Sequence, residues 1–296
     1  MNGVIIGRFM PPHRGHQYLV EFAHNYVDEL YVLVCTLRSE PIPGELRYQW
    51  MRELFPRDNI IHITEEIPEA SRGMPKAEAI WARSVREAVA APIDHVFASE
   101  SYGAPLAEAL SATYVPVDPA REIFPVSATL IRQDPYACWE FIPEVVRPYF
   151  TRRCCVVAHS RALHPAAQLL AKQLETVFVN DYGRFVATGS AGSAGSSAKR
   201  GESGGVDILR AQAAAEEALA RHARGVLFCE RGEATYEELS RYDMILAEES
   251  EATPPWMEES YSRLSREGTP VLRFSELSEG ALSQMRNAVE VTLLNR

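Results

Sequence analysis

Two histidines three residues apart, His13 and His16, with Gly15 between them, carry the side chains in this chain best suited to grip an anion. They end the stretch Gly-Arg-Phe-Met-Pro-Pro-His-Arg-Gly-His, which runs from Gly7 to His16. An imidazole N–H donates to a phosphate oxygen, and a glycine lets the ligand come close to the backbone. Arg8 adds positive charge at the same place. A second stretch, Phe-Pro-Val-Ser-Ala-Thr-Leu-Ile-Arg from Phe124 to Arg132, offers Thr129 and Arg132 three residues apart behind Ser127, a suitable helix N-cap. The chemistry such groups serve is charge stabilisation on a phosphate chain. The bland alternatives are a loop with two solvated histidines and a capped surface helix with a solvated arginine.

Those residues need a strand that turns sharply into a helix. Val4, Ile5 and Ile6 read as a short buried strand, broken by Gly7, Pro11 and Pro12. An amphipathic run follows, with Tyr18, Leu19, Phe22, Ala23 and Tyr26 as its apolar positions, so a helix is expected from about residue 14. Its first N–H groups are free for an anionic ligand, and the spacing puts both imidazoles on one side. Further strands are expected at 30–36, 60–63, 94–99 and 114–117. Helices are expected at 45–55 and 77–90, and a loop at 65–76. Alternating strands and helices imply a doubly wound parallel sheet, whose ligands bind beyond the carboxyl ends of the strands. Strands one and four deliver Gly7-Arg-Phe-Met-Pro-Pro-His and Ser99-Glu-Ser-Tyr-Gly103 to that one edge.

The chain has 296 residues, room for two ordinary domains, and a net charge of −10. That charge is the opposite of a nucleic-acid footprint, so no nucleic-acid partner is expected. The chain opens directly on the first strand, which leaves a DNA-binding repressor role without support. No apolar run is long enough to span a bilayer and no secretory leader is evident, so a cytoplasmic location without membrane association is expected. Five cysteines, odd in number and without metal-ligand spacing, read as reduced thiols.

Four motifs occur in one order: the Gly7 to His16 stretch, Phe97-Ala-Ser-Glu-Ser-Tyr-Gly103, Val117-Asp-Pro-Ala-Arg121, and the Phe124 to Arg132 stretch. Together they resemble the adenylyltransferase half of the bifunctional nicotinamide-nucleotide adenylyltransferase/ribosylnicotinamide kinase family, within the nucleotidylyltransferase superfamily. The resemblance covers most of residues 3–150. It implies a Rossmann-like domain that transfers AMP from ATP to nicotinamide mononucleotide, giving NAD and pyrophosphate, with Mg²⁺ held by the substrate phosphates. On that basis His13, His16 and Arg132 are the expected catalytic groups, with both histidines near their ordinary pKa and able to donate in either protonation state. The expected substrate contacts are Gly7, Arg8, Phe9, Gly15, Trp81, Ser99, Tyr102, Gly103, Asp118, Arg121, Ser127 and Thr129. Trp81 either stacks on the nicotinamide ring or is a core tryptophan. Asp118 and Arg121 either form a structural ion pair or meet substrate.

Residues 151–296 read as a second α/β domain, with strands at 154–158, 177–179, 226–229 and 242–246 and helices at 165–174, 206–222, 255–266 and 277–292. The family carries a kinase phosphate loop here, Gly-x-x-x-x-Gly-Lys-Ser/Thr. The corresponding window, residues 157–164, is Val-Ala-His-Ser-Arg-Ala-Leu-His. Both glycines are missing, Leu163 stands for the lysine and His164 for the metal-meeting hydroxyl. The expected domain is therefore P-loop-kinase-like without phosphoryl transfer, with Glu230 a partial stand-in for the family's acidic segment. A Gly/Ser-rich stretch at 189–205 reads as a mobile insertion. The open rivals are adenylyl transfer to another phosphorylated acceptor, residual ribosylnicotinamide kinase activity, and nucleotide-sensing regulation. A homo-oligomer also stays open.

Overall fold

The computed structural model describes residues 1–65, 77–160, 163–184, 202–203, 206–251 and 253–295. The loop expected at 65–76 lies outside the described residues except for its first, and so does the 189–205 stretch except for Glu202–Ser203. The chain divides into two compact units, Met1–Val146 and Arg147–Arg296.

In the first unit β1 (Asn2–Gly7), β2 (Glu29–Cys35), β3 (Asn59–Ile63), β4 (His95–Ala98) and β5 (Thr113–Pro116) form one sheet in the order β3-β2-β1-β4-β5. Every pairing is parallel. Side chains alternate across the sheet, as strand geometry dictates. Ile5 enters a core with Leu19, Val20 and Ala23 of α1 (Arg14–His24) and Met51 of α2 (Gly44–Leu54). Val4 and Ile6 enter the opposite core, with Ala82 and Val85 of α3 (Ala77–Ala88) and Leu106 and Ala107 of α4 (Gly103–Leu110). Burial on both faces explains why β1 and β2 read as continuous apolar runs. Strand order reverses between β1 and β4, which puts the crevice of the fold at their carboxyl ends. The short helix α5 (Ala128–Gln133) follows β5.

The second unit has its own parallel sheet of five strands, β12-β11-β6-β10-β7. They are β6 (Arg152–Val157), β7 (Phe178–Val179), β10 (Val226–Arg231), β11 (Met244–Glu248) and β12 (Val271–Phe274). Glu202–Ser203 (β8) and Val206–Asp207 (β9) pair as a two-stranded antiparallel sheet. Four strands of the five-stranded sheet are expected from the sequence; β12 is not, because it includes an arginine and only Phe274 of its four residues is buried. The unit boundary also falls earlier than residue 150. The helical turn Arg147–Phe150 is rooted in the second unit, because Thr151 donates to the carbonyls of both Arg147 and Ala220. Among the described residues no helix is long and apolar enough to cross a membrane.

Candidate functional site

A cavity of about 660 Å³ opens at the carboxyl end of β1 and β4. Of the residues expected at a site, all line it except Gly103. Gly103 starts α4, where an added Cβ would lie 2.3 Å from the Tyr114 ring and 2.9 Å from Ala98. Its smallness lets the helix pack on the sheet, a different task from meeting substrate.

The chain leaves β1 through Gly7, Arg8 and Phe9. Phe9 sits in the left-handed region, with φ of 48°, a rare conformation for a bulky residue. That turn drives its ring into the core, where it is 2% exposed and meets the His16 ring edge-on at 5.0 Å. Gly7 has no side chain because a Cβ there would lie 2.8 Å from the Phe9 ring.

His13 is the N-cap of α1, and its carbonyl accepts the Gln17 N–H at 3.0 Å. The imidazoles of His13 and His16 stack with centroids 3.7 Å apart. Gly15 makes room for them, since a Cβ there would sit 3.1 Å from the His13 ring. Neither histidine is solvated in a loop, and neither is near its ordinary pKa. Burial, helped by the Arg121 charge, pushes His13 down to about 3. Burial, then His13 and Arg121, holds His16 well below its usual value. Both rings are therefore neutral at pH 7, with one N–H each to give, and Nδ1 of each is buried without a hydrogen-bond partner. A buried orphan polar atom is costly unless something binds it.

Three side chains from other elements hold carbonyls at the end of β1 and in the loop that follows it. Tyr102 donates its hydroxyl to the Ile6 carbonyl, Arg47 of α2 donates to Arg8 at 2.6 Å, and Arg132 of α5 donates to Met10. Arg132 also donates to the Thr129 hydroxyl at 3.2 Å, and Ser127 caps α5 by accepting the Leu130 N–H. Arg47 is fully buried and ion-paired with Glu40, whose carboxylate also lies 3.3 Å from the Arg8 guanidinium. Sequence reasoning missed this pair. The signal was the spacing of α2, where residues 47, 50 and 51 share the buried face and one of them is charged.

The side chains of Asp118 and Arg121 form no ion pair with each other, although the Arg121 N–H donates to the Asp118 carbonyl at 3.0 Å. Asp118 accepts the N–H groups of Glu122 and Ile123 at 2.9 and 3.2 Å and so shapes the turn into α5. Arg121 lies 3.5 Å from Glu100, a further acidic residue of the cavity wall that the sequence reading did not single out. Trp81 of α3 packs against the Val4 side of the core and also lines the cavity. Arg8, Arg121 and Arg132 thus face a cavity whose floor is two neutral imidazoles. Such a field suits a phosphate chain.

Residues 4–134 match the cytidylyltransferase-like family model. The chain is 29% identical over 201 residues to the trifunctional NAD biosynthesis/regulator protein NadR of Escherichia coli K12, and 28% over 200 residues to that of Salmonella typhimurium LT2. Each match takes in 62% of this chain and 48% of the relative, so it spans about half the relatives' length. The fold is also that of a NadR protein solved in complex with NR, with a TM-score of 0.74 at 20% identity, covering 99% of this chain and 95% of the other. A NadR protein in complex with NAD and AMP-PNP gives 0.73 at 19%, covering 99% and 96%.

Proposed function

We propose that the first unit, whose residues 4–134 match the cytidylyltransferase-like family model, transfers AMP from ATP to nicotinamide mononucleotide, giving NAD and pyrophosphate. The observation that carries this reading is the convergence of His13, His16, Arg8, Arg121, Thr129, Arg132 and Trp81 on one cavity at the switch point of a parallel sheet. The names of the bacterial relatives point to NAD biosynthesis, and one structure of the same fold holds NAD with AMP-PNP.

A phosphate oxygen of the mononucleotide attacks the α-phosphorus of ATP. The new P–O bond forms as the bond to the β-phosphate oxygen breaks, and pyrophosphate leaves with that electron pair. The protein contributes position and charge, not a covalent nucleophile. His13 and His16 donate their N–H groups to the triphosphate, which gives their buried rings a hydrogen-bond partner. A neutral imidazole donor needs no general-base role. Arg132 and Thr129, fixed to each other, meet the β- and γ-phosphates, and Arg8 offsets phosphate charge from the side clamped by Glu40. ATP enters as its magnesium complex, the ion being held by phosphate oxygens and water. Trp81 offers a π face to the cationic nicotinamide ring. The second unit is kinase-like in fold and takes no part in phosphoryl transfer.

The deciding experiment incubates the full chain with ATP, Mg²⁺ and a panel of phosphorylated acceptors and reads pyrophosphate release. Nicotinamide mononucleotide should yield NAD, with nicotinic acid mononucleotide comparable or weaker. Turnover of phosphopantetheine or a sugar phosphate alone would overturn the acceptor and leave the fold standing.

A further inference from the structure

The strand β11 is buried along its whole length and ends in a glutamate, Glu248, only 6% exposed. A carboxylate in that position needs strong partners. It finds them on the neighbouring strand β6, in the backbone that leaves Val157. One carboxylate oxygen of Glu248 accepts the N–H of His159 at 2.5 Å and the N–H of Ser160 at 2.8 Å. Burial works against the ionised form, and the hydrogen bonds from Ser160 and His159 outweigh it, holding the group below its usual range.

Two successive N–H groups converging on one oxygen make an anion nest, the same device by which a phosphate loop grips its ligand. The rest of that backbone is satisfied as well. The Ala158 N–H donates to the Arg231 carbonyl at 3.1 Å, and the Ala158 carbonyl accepts from Arg184 at 3.2 Å. Arg184 also pairs with the buried Glu230 at 2.6 Å, which ties up the acidic group expected to stand in for a metal-meeting residue. Asp181 accepts the N–H groups of Gly183 and Gly232, both at 2.9 Å. Leu163, at the lysine position of the window, is buried in the core.

We propose that Glu248 is a built-in ligand of the second unit, its carboxylate filling the anion nest after β6 so that no nucleotide phosphate binds there. The nest has not been lost with the glycines and the lysine. It has been turned inward, and an anion supplied by β11 closes the carboxyl edge of the sheet. This inference stands on the second unit alone and does not depend on what the first unit makes.

The test is amide hydrogen exchange on the full chain, followed on the peptide covering residues 154–160, with inorganic tripolyphosphate as the probe. In the natural protein that peptide should exchange at the same rate with and without millimolar tripolyphosphate. Glu248→Ala should speed its exchange by about tenfold, as expected for loss of hydrogen bonds to a charged group. Tripolyphosphate should then slow it again, because the vacated nest takes the added anion. NAD formation by the variant, if the first unit has that activity, should be unchanged. Protection of residues 154–160 by tripolyphosphate in the natural protein would overturn the proposal, and so would an exchange rate indifferent to Glu248→Ala. The natural-protein arm decides the matter even if the alanine variant does not fold.

Discussion

At the scale of single residues, the two stacked imidazoles are the feature most open to test. If His16 mainly stabilises charge that develops on the leaving phosphates, His16→Ala should lower kcat by about 10²–10³ while KM for ATP changes little. Steady-state kinetics with the full chain check this, and an unchanged kcat in a folded variant would remove His16 from the machinery. The same burial has a thermodynamic consequence. His13 titrates near 6.5 unfolded and at about 3 folded. Between those values the unfolded chain holds a proton that the folded chain does not, so acid favours unfolding. The contribution is fully present above about pH 6.5 and is lost as pH falls toward 3, by up to ~1.4 kcal/mol per pH unit for one proton. Denaturant titrations of His13→Asn across that window should show a flatter pH dependence than the natural chain.

At the scale of elements, α5 and α2 hold the site from two sides. α5 is six residues long and relies on its cap, with Ser127 accepting the Leu130 N–H. Ser127→Ala should cost about 0.5–2 kcal/mol and loosen the turn that aims Thr129 and Arg132. KM for ATP should rise while the overall secondary structure, followed by circular dichroism, stays intact. On α2 the fully buried Arg47 holds the Arg8 carbonyl and Glu40 together. Arg47→Met leaves Glu40 buried without its main counter-charge, a change worth about 3–5 kcal/mol. Adding Glu40→Gln should restore part of that loss in thermal denaturation. No recovery in the double variant would mean that packing, not charge, is what Arg47 supplies.

At the scale of the whole molecule, two α/β units share one chain and divide unequally what the family resemblance implies. The first has a lined cavity, and in the second Glu248 occupies the N–H groups of His159 and Ser160 while Arg184 holds Glu230. The purified chain should make NAD from ATP and nicotinamide mononucleotide, and should fail to convert nicotinamide riboside and ATP to the mononucleotide. Riboside-dependent ADP formation that survives His16→Ala, read by a coupled assay, would show a live kinase.

Local pattern carried much of this. The apolar runs and their breakers placed β1, β2 and α1 to within a residue or two, because strands buried on both faces and amphipathic helices write their periods into short windows. Ser127 was readable as a cap because capping is a contact three residues long. The order of the four motifs pointed to one sheet edge. What no window contains is contact between distant segments. Arg47 looks like a surface charge until α2 docks and buries it against residue 8, thirty-nine positions away. Gly103 does not line the cavity, and an added Cβ there would meet the Tyr114 ring, a contact eleven residues away that no short window contains. The ordinary pKa expected of His13 gave way to about 3 once desolvation acted on a folded cavity. Glu248 is the clearest case, a glutamate at the end of an apolar strand whose partners lie eighty-eight and eighty-nine residues earlier. Sequence spacing decides which backbone is helix or strand, and only the packed sheet decides which carboxylate meets which N–H.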